Sequence, residues 1–301
     1  MSLPLEPNPT EQPGWLVGQG VGPKVAWRLG TDGALTAFTL ARETREVVYA
    51  DDSPAIYRAD GRGRIQCMMR QAKPVRLLDW SDDGSAGAAV FGNENLVRLD
   101  RNLQSTFSVD LPDTCTALAM SPYGNHIAVA MSNGLNYIFN ERKKRIAEFQ
   151  TVRPLAFLQF CSTDPVLIAA AEHGLLCCHD LKGAEVWQER MWNNVGDLAI
   201  TGSGDHIYLA GYSHGIQTHD GGGSPLGSYV LEGTVSHLSV SFEPQRLLAS
   251  TIEGHLYWVD SDGELLWATS VPEATVDLQC DAIGEWGLVG FETGGIYRLD
   301  W

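Results

Sequence analysis

Three features of the 301-residue chain predict an all-β fold made of repeated four-stranded sheets. One turn residue recurs every forty positions, each forty-residue period holds four short apolar runs, and turn sequences separate those runs. The recurring residue is Asp in six copies and Asn in one: Asp60, Asp100, Asn140, Asp180, Asp220, Asp260 and Asp300. Seven periods of four strands predict a seven-bladed β-propeller, in which each blade is one antiparallel sheet.

Other columns of the repeat keep the same phase. Ten positions before the Asp or Asn the side chain is nearly always small: Ala50, Val90, Ala130, Ala170, Ala210, Ser250 and Gly290. Such in-phase columns over seven copies are far beyond chance. The repeat is therefore structural and runs along most of the chain.

The period from Thr116 shows the expected strands most clearly. Its apolar runs are TALAM, HIAVAM, LNYIF and RIAEF, and its turns are SPYGN, SNG and NERKK. The Asp or Asn ends the third strand, where its side-chain oxygen can accept backbone N–H groups in an Asx turn. In several copies a Gly three residues later supplies the positive φ of a tight hairpin. The recurring Asp is thus predicted to shape a turn.

These motifs resemble those of the WD-repeat and related quinoprotein-like β-propellers over residues 23–301. The stretch SPYGNHIAVAMSNG at 121–134 is similar to that family's turn and second strand. The strand-ending pairs stand where the family often has Trp-Asp: His179-Asp180, His219-Asp220, Val259-Asp260 and Leu299-Asp300. The family's Gly-His pair is absent, and Trp-Asp occurs only in displaced form at the chain end. The resemblance therefore implies the fold without the side-chain tetrad of strict WD repeats.

The last copy stops just after its Asp, and the repeat phase predicts where its fourth strand lies. Trp187 and Trp267 each follow their Asp by seven residues, and the corresponding position of the last copy, seven periods back, is Trp27. Residues 24–29 are predicted to complete the last blade and close the ring. The closing side chains are Val25, Trp27, Leu29, Ile296, Tyr297 and Leu299. The predicted organisation is a Pro-rich N-terminal arm, 1–22, extended and poorly ordered, followed by one propeller, 23–301.

Composition narrows the class of protein. The net charge of −16 lies in the second half, because residues 155–301 hold four Lys or Arg against twenty Asp or Glu. Such a half repels nucleic acid and anionic membranes and favours a basic protein partner, although a solvated acidic surface explains it equally well. No apolar run spans a membrane, and the N-terminus lacks signal-peptide features. The six cysteines form no CxxC pair, which predicts buried thiols in the cytoplasm.

The main candidate for site chemistry is a polar cluster. Asp197, His237 and Asp277 share one repeat phase, at the start of the first strand in three consecutive blades. Two carboxylates beside a His could hold a cation or substrate, or form a pH-sensitive contact, and the alternative is a hydrogen-bonded, water-linked rim. No zinc spacing, nucleophile elbow or phosphate loop is present, so no metal or cofactor is predicted.

The predicted function is a non-enzymatic protein-interaction scaffold, or one subunit of a larger assembly. Partners would bind the acidic sector of blades four to seven and the top face. The top face is defined here as the turns between second and third strands with the connections into first strands. Its candidate contacts are Glu172, His173, His214, Glu253 and Glu292. Trp192, predicted in a loop before a first strand, is either an aromatic anchor or a packing residue. The alternative function is a hydrolase- or lactonase-like enzyme that uses Asp197, His237 and Asp277.

Overall fold

The computed structural model describes residues 12–213, 215–243 and 246–301. These residues form twenty-eight β-strands and one 3₁₀ helix, Gly14–Leu16, with no α-helix among them. Within the same ranges, no helix has the length and apolar character that a membrane span requires. The all-β prediction is confirmed. Residues 1–11 of the predicted arm lie outside the described residues.

Two strands precede the repeat: β1 (Gln19–Gly20) and β2 (Lys24–Leu29). Sheet I contains β3 (Leu35–Ala41), β4 (Glu46–Asp51), β5 (Ala55–Ala59) and β6 (Ile65–Arg70). Sheet II contains β7 (Val75–Trp80), β8 (Ala86–Phe91), β9 (Asn95–Asp100) and β10 (Ser105–Asp110). Sheet III contains β11 (Cys115–Met120), β12 (His126–Met131), β13 (Leu135–Asn140) and β14 (Arg145–Gln150).

The next strands share one long member, β18. Sheet IV contains β15 (Phe157–Phe160), β16 (Val166–Ala170), β17 (His173–Asp180) and the first part of β18 (Glu185–Ile200). Sheet V contains the second part of β18, β19 (His206–Gly211), β20 (Gly215–Asp220) and β21 (Pro225–Tyr229). Sheet VI contains β22 (Val235–Val240), β23 (Arg246–Thr251), β24 (His255–Asp260) and β25 (Leu265–Ser270). Sheet VII contains β26 (Thr275–Cys280), β27 (Trp286–Phe291), β28 (Ile296–Asp300) and β2.

The N-terminal strand β2 occupies the fourth place of sheet VII. It runs antiparallel to β28, with Lys24 opposite Asp300, Trp27 opposite Arg298 and Leu29 opposite Ile296. In sheet VI, Trp267 lies opposite Trp258, which likewise stands two residues before the recurring Asp. The repeat phase therefore predicts the pairing partner of residues 24–29, although about 270 residues separate them.

The first strands of the seven sheets lie side by side. Each contacts the first strand of the next sheet in chain order, and β26 of sheet VII contacts β3 of sheet I. Seven apolar clusters fill the spaces between consecutive sheets, including one between sheets VII and I that holds Trp27, Trp286 and Phe38. Complete burial of a Val, Leu, Ile, Phe or Met side chain contributes about 1.5–3 kcal/mol to folding. The sheets are stable because each one buries both faces.

The recurring Asp makes the turn that the sequence predicts. Oδ1 of Asp260 accepts the backbone N–H groups of Asp262 and Glu264, at 3.0 and 2.9 Å. Asn140 accepts the equivalent two bonds, which explains why Asn replaces Asp there without loss. In the copy at Asp260, Gly263 lies two residues before the fourth strand and has a φ of +84°. The turn prediction is confirmed.

Residues 12–22 lie against sheet VI, which the division at residue 22 does not anticipate. Strand β1 pairs with β25, with Gln19 opposite Ala268, and so adds a fifth strand at the edge of sheet VI. Leu16 is buried, and its carbonyl accepts the indole N–H of Trp267 at 3.3 Å. A side chain at position 18 would meet the carbonyl oxygen of Ala268, so only Gly fits there. The described part of the arm is therefore ordered against the sheets.

Candidate functional site

The top face is held together by backbone hydrogen bonds between its turns and connections. The N–H of Tyr212, in the turn after β19, donates to the carbonyl of Asn194 at 3.2 Å. The N–H of Val195 donates to the carbonyl of Glu172 at 2.9 Å, and this bond joins sheet V to the turn of sheet IV. These segments therefore share one face, as their positions in the repeat predict.

Trp192 does not lie in a loop, contrary to the prediction. It is in the middle of β18, which continues from Glu185 to Ile200 without a turn. The strand stays extended there because Asn194 pairs with His173, and Asn194 Oδ1 lies 2.8 Å from His173 Nδ1. The side chain of Trp192 is 99% exposed. Trp192 thus makes no packing contact of consequence, and the alternative of a packing role does not fit its position.

Further apolar side chains are exposed on the same part of the top face. Val152 is 85% exposed and Val230 is 87% exposed, and both lie in connections that enter first strands. Tyr212 and Ile252 lie at the equivalent position of the turns in sheets V and VI and are also exposed. The Tyr212 ring covers Gly196, where a Cβ would stand 2.7 Å from the ring. We call Val152, Trp192, Tyr212, Val230 and Ile252 the apolar patch.

The acidic candidates lie in turns of the same top face as the apolar patch. Glu172, Glu253 and Glu292 are all exposed in the turns of sheets IV, VI and VII. Glu253 accepts the backbone N–H of Thr234 at 2.7 Å and its hydroxyl at 3.0 Å, and these bonds lower the pKa of Glu253. His173 is exposed beside them, whereas His214 lies outside the described residues. The described candidates from the turns therefore lie on the face that the sequence predicts.

A central cavity of about 230 Å³ is lined by the first strands of all seven sheets. Asp197 and Asp277 line it, and so does Asp79, which the sequence analysis does not single out. In the forty-residue repeat, Asp79 stands two positions after the column that holds Asp197, His237 and Asp277. Thr39, Gln159, Ser239 and Gln279 share its repeat phase. Polar residues recurring inside otherwise apolar strands were the signal that could have identified this column.

Side chains in the cavity bridge neighbouring first strands by accepting backbone N–H groups. Asp79 accepts the N–H of Met120 at 2.7 Å, and Gln159 accepts that of Ile200 at 2.9 Å. Asp197 accepts the N–H of Leu238 at 2.9 Å. Each donor lies 41 residues beyond its acceptor, so the bonds join one sheet to the next. The carboxylates have a structural task here, because they satisfy strand N–H groups that no strand partner reaches.

Burial perturbs the acidity of the three carboxyl groups. Desolvation, together with the nearby charge of Asp277, raises the pKa of Asp197 to about 8. Desolvation likewise raises the pKa of Asp277 to about 7 and that of Asp79 to about 6, while backbone hydrogen bonds oppose the change. Each group keeps some contact with the cavity, yet the low dielectric constant around it disfavours the charged form.

His237 does not line the cavity with the two aspartates. Its Nδ1 lies 3.1 Å from Ser236 Oγ and 3.2 Å from Ser250 Oγ, on the second strand of its own sheet. Burial lowers the pKa of His237 to about 4, so the ring is neutral at pH 7. Asp197 and Asp277 therefore meet in the cavity while His237 bonds elsewhere. Among the described residues, no group of three or more His, Cys, Asp or Glu side chains is arranged to hold a metal ion.

The cysteines are all free thiols, and five of the six are buried. Cys177 and Cys178 are adjacent in β17, pair with different residues of β16, and form no disulfide. Burial raises the pKa of Cys177 to about 12 and that of Cys178 to about 11. The protonated thiols are packing groups, as the sequence predicts.

Comparisons with protein-family models and with curated proteins find no match for this chain.

Proposed function

We propose that the seven sheets are the blades of a seven-bladed β-propeller that β2 closes. The contact between β26 and β3 and the apolar cluster between sheets VII and I support this architecture. So does Trp27, whose indole N–H donates to the Gly61 carbonyl of sheet I at 3.1 Å. Val25, Trp27 and Leu29 on β2 face Leu299, Arg298 and Ile296 across the closing sheet, and Tyr297 lies opposite Arg28.

We further propose that the propeller is a non-enzymatic scaffold that binds another protein through the top face of blades IV to VI. The exposed side chain of Trp192 is the observation that carries this proposal. Trp is among the residues most enriched at the energetic centres of protein interfaces, because it buries a large rigid area on binding. Trp192 lies within strand β18, so little backbone conformational entropy is lost when a partner covers it.

The surrounding residues support a protein as the occupant. Five exposed apolar side chains in neighbouring connections and turns form an extended surface, which suits a macromolecule better than a small ligand. The acidic groups around them, with the four-to-twenty charge ratio of residues 155–301, favour a partner whose contacting surface is basic. Apolar contacts would supply most of the affinity, and the charges would increase the association rate.

A photo-crosslinking amino acid at position 192 tests the proposal in cells of the native host. The matched control places the same amino acid at Tyr123, an exposed aromatic residue in the turn between β11 and β12. We expect one protein to crosslink at position 192 and not at position 123.

The crosslinked protein is then purified and its affinity measured by calorimetry. We expect Trp192→Ala to weaken binding at least about 30-fold, which corresponds to the 2 kcal/mol typical of an interface anchor. Tyr123→Ala should leave the affinity unchanged. Equal crosslinking at both positions, or an unchanged affinity of the Trp192→Ala variant, would show that the top face is not the binding surface.

A further inference from the structure

A pocket of about 390 Å³ opens on the top face between sheets III and IV. Its apolar wall includes Pro154, which is exposed, and Leu155, which is fully buried. Two guanidinium groups, those of Arg76 and Arg153, line the same pocket. A ligand group that fits these walls combines an apolar body with an acceptor of several hydrogen bonds.

The guanidinium of Arg76 is fixed in place by two bonds to neutral groups. Nη1 donates to Asn93 Oδ1 at 3.2 Å, and Nη2 donates to the carbonyl of Cys115 at 2.6 Å. An arginine carries five N–H donors in a planar fork, so Arg76 retains donors for another acceptor. Its orientation is set before any ligand arrives, which lowers the entropic cost of binding.

Arg153 also lines the pocket, its side chain is exposed, and a hydrogen bond holds its backbone. The Thr151 hydroxyl donates to the carbonyl of Arg153 at 2.8 Å. Neither Arg153 nor Arg76 forms an ion pair with a carboxylate of the described chain. Two positive charges without an ion-pair partner among the described residues thus line one pocket, at the border of the strongly acidic half of the protein.

We propose that this pocket binds a single carboxylate within the otherwise basic contacting surface of the partner, an Asp or Glu side chain on a polypeptide segment with an apolar neighbour. Arginine pairs with carboxylates through two parallel N–H···O bonds, and this geometry selects a carboxylate over an amide. The inference rests on the proposed function, because His173, which lines the pocket, pairs with Asn194, two residues beyond Trp192. One segment can therefore reach both the pocket and the apolar patch.

Glu172 provides a check on whether the pocket binds a negatively charged group. It lines the same pocket, is exposed, and forms no ion pair with either arginine among the described residues. Its negative charge opposes a bound carboxylate, so removing that charge should strengthen binding. A purely structural role of the arginines predicts no such gain.

The test uses the full chain, labelled with ¹⁵N, and three small probes titrated by NMR. The first probe is the tripeptide acetyl-Leu-Glu-Leu-amide, the second replaces its Glu by Gln, and the third is N-acetyl-leucine. We expect the Glu peptide to shift the amide resonances of Arg153, Leu155 and Glu172 saturably. The Gln peptide should bind at least about tenfold more weakly, because a hydrogen bond to a charged group contributes that much.

Three variants assign the effect to the pocket. Arg153→Gln should weaken binding of the Glu peptide about tenfold, Arg153→Lys should fall between it and the wild type, and Glu172→Gln should strengthen binding a few-fold. Arg153 is the better target than Arg76 because Arg76 also holds the Cys115 carbonyl. Unchanged melting temperatures of these exposed-site variants control for folding.

The outcomes separate the alternatives. Equal binding of the Glu and Gln peptides, no binding of either, or unchanged binding in Arg153→Gln overturns the carboxylate pocket. Tighter binding of N-acetyl-leucine than of the Glu peptide overturns the partner segment and assigns the pocket to a free organic acid. Binding of the tripeptides does not involve Trp192, so the two experiments are independent. The crosslinking experiment can fail while the carboxylate pocket is supported, and the pocket can be overturned while crosslinking at position 192 is observed.

Discussion

Replacing Trp27 by Ala tests whether β2 closes the structure. Trp27 is 9% exposed, belongs to the apolar cluster between sheets VII and I, and donates to the Gly61 carbonyl. Its ring also lies against Gly63, where a Cβ would stand 3.0 Å away. The variant loses the contact between the two chain ends and leaves the Gly61 carbonyl without its indole donor.

The expected cost is about 3–5 kcal/mol, the range for a Trp or Phe removed from a core. With an unfolding entropy of about 2.1 cal/mol/K per residue over 301 residues, this corresponds to a melting temperature lower by about 5–8 °C. Circular dichroism melts and guanidinium titrations of Trp27→Ala measure it. The control is Trp192→Ala, which removes the same side chain from an exposed site and should cost less than about 0.5 kcal/mol. If the two variants had the same stability, β2 would not close the fold.

Three further predictions follow from other contacts. Asp277→Asn should flatten the dependence of stability on pH. With a folded pKa of about 7 against about 4 unfolded, Asp277 contributes stability that is complete below pH 4 and lost as pH rises toward 7. Urea titrations from pH 4 to 8 measure the free energy of unfolding of both proteins, and a wild-type pH slope retained in the variant would contradict the prediction. In ¹³C NMR the pKa of Asp197 should be lower in the variant than in the wild type, because the charge of Asp277 is gone. Gly18→Ala should release β1 from β25 and speed amide exchange in β25, whereas Gly14→Ala, where a Cβ meets nothing within 4 Å, should not; equal exchange in both would disprove the contact. Asp260→Ala should cost about 1–3 kcal/mol by removing two turn bonds, whereas Asp260→Asn should be nearly neutral in thermal melts, and equal losses would argue against the Asx turn.

Elements that depend on local chemistry and on the period of the repeat are predictable from the sequence. The Asp or Asn at the third-strand ends of sheets I to VI specifies its own turn through bonds to residues two and four positions later, so the turn geometry follows from a few neighbouring residues. Phase arithmetic placed Trp27 opposite the last strand, because every copy of the repeat uses the same register. The same reasoning placed Glu172, Glu253 and Glu292 on one face.

Only the tertiary structure decided where individual side chains point and what they contact. Asp197 and His237 share a repeat phase, and each follows a bulge in its strand, yet one lines the cavity and the other bonds to Ser250. Asp197 bonds to Leu238 of the next sheet and His237 to Ser250 on the second strand of its own sheet, so contacts with other strands give the two residues different surroundings. The exposure of Trp192 depends on a strand that spans two sheets, and the pocket of Arg76 and Arg153 depends on residues from several sheets. A periodic sequence fixes register and turns, whereas surfaces and sites arise from contacts between residues far apart in the chain.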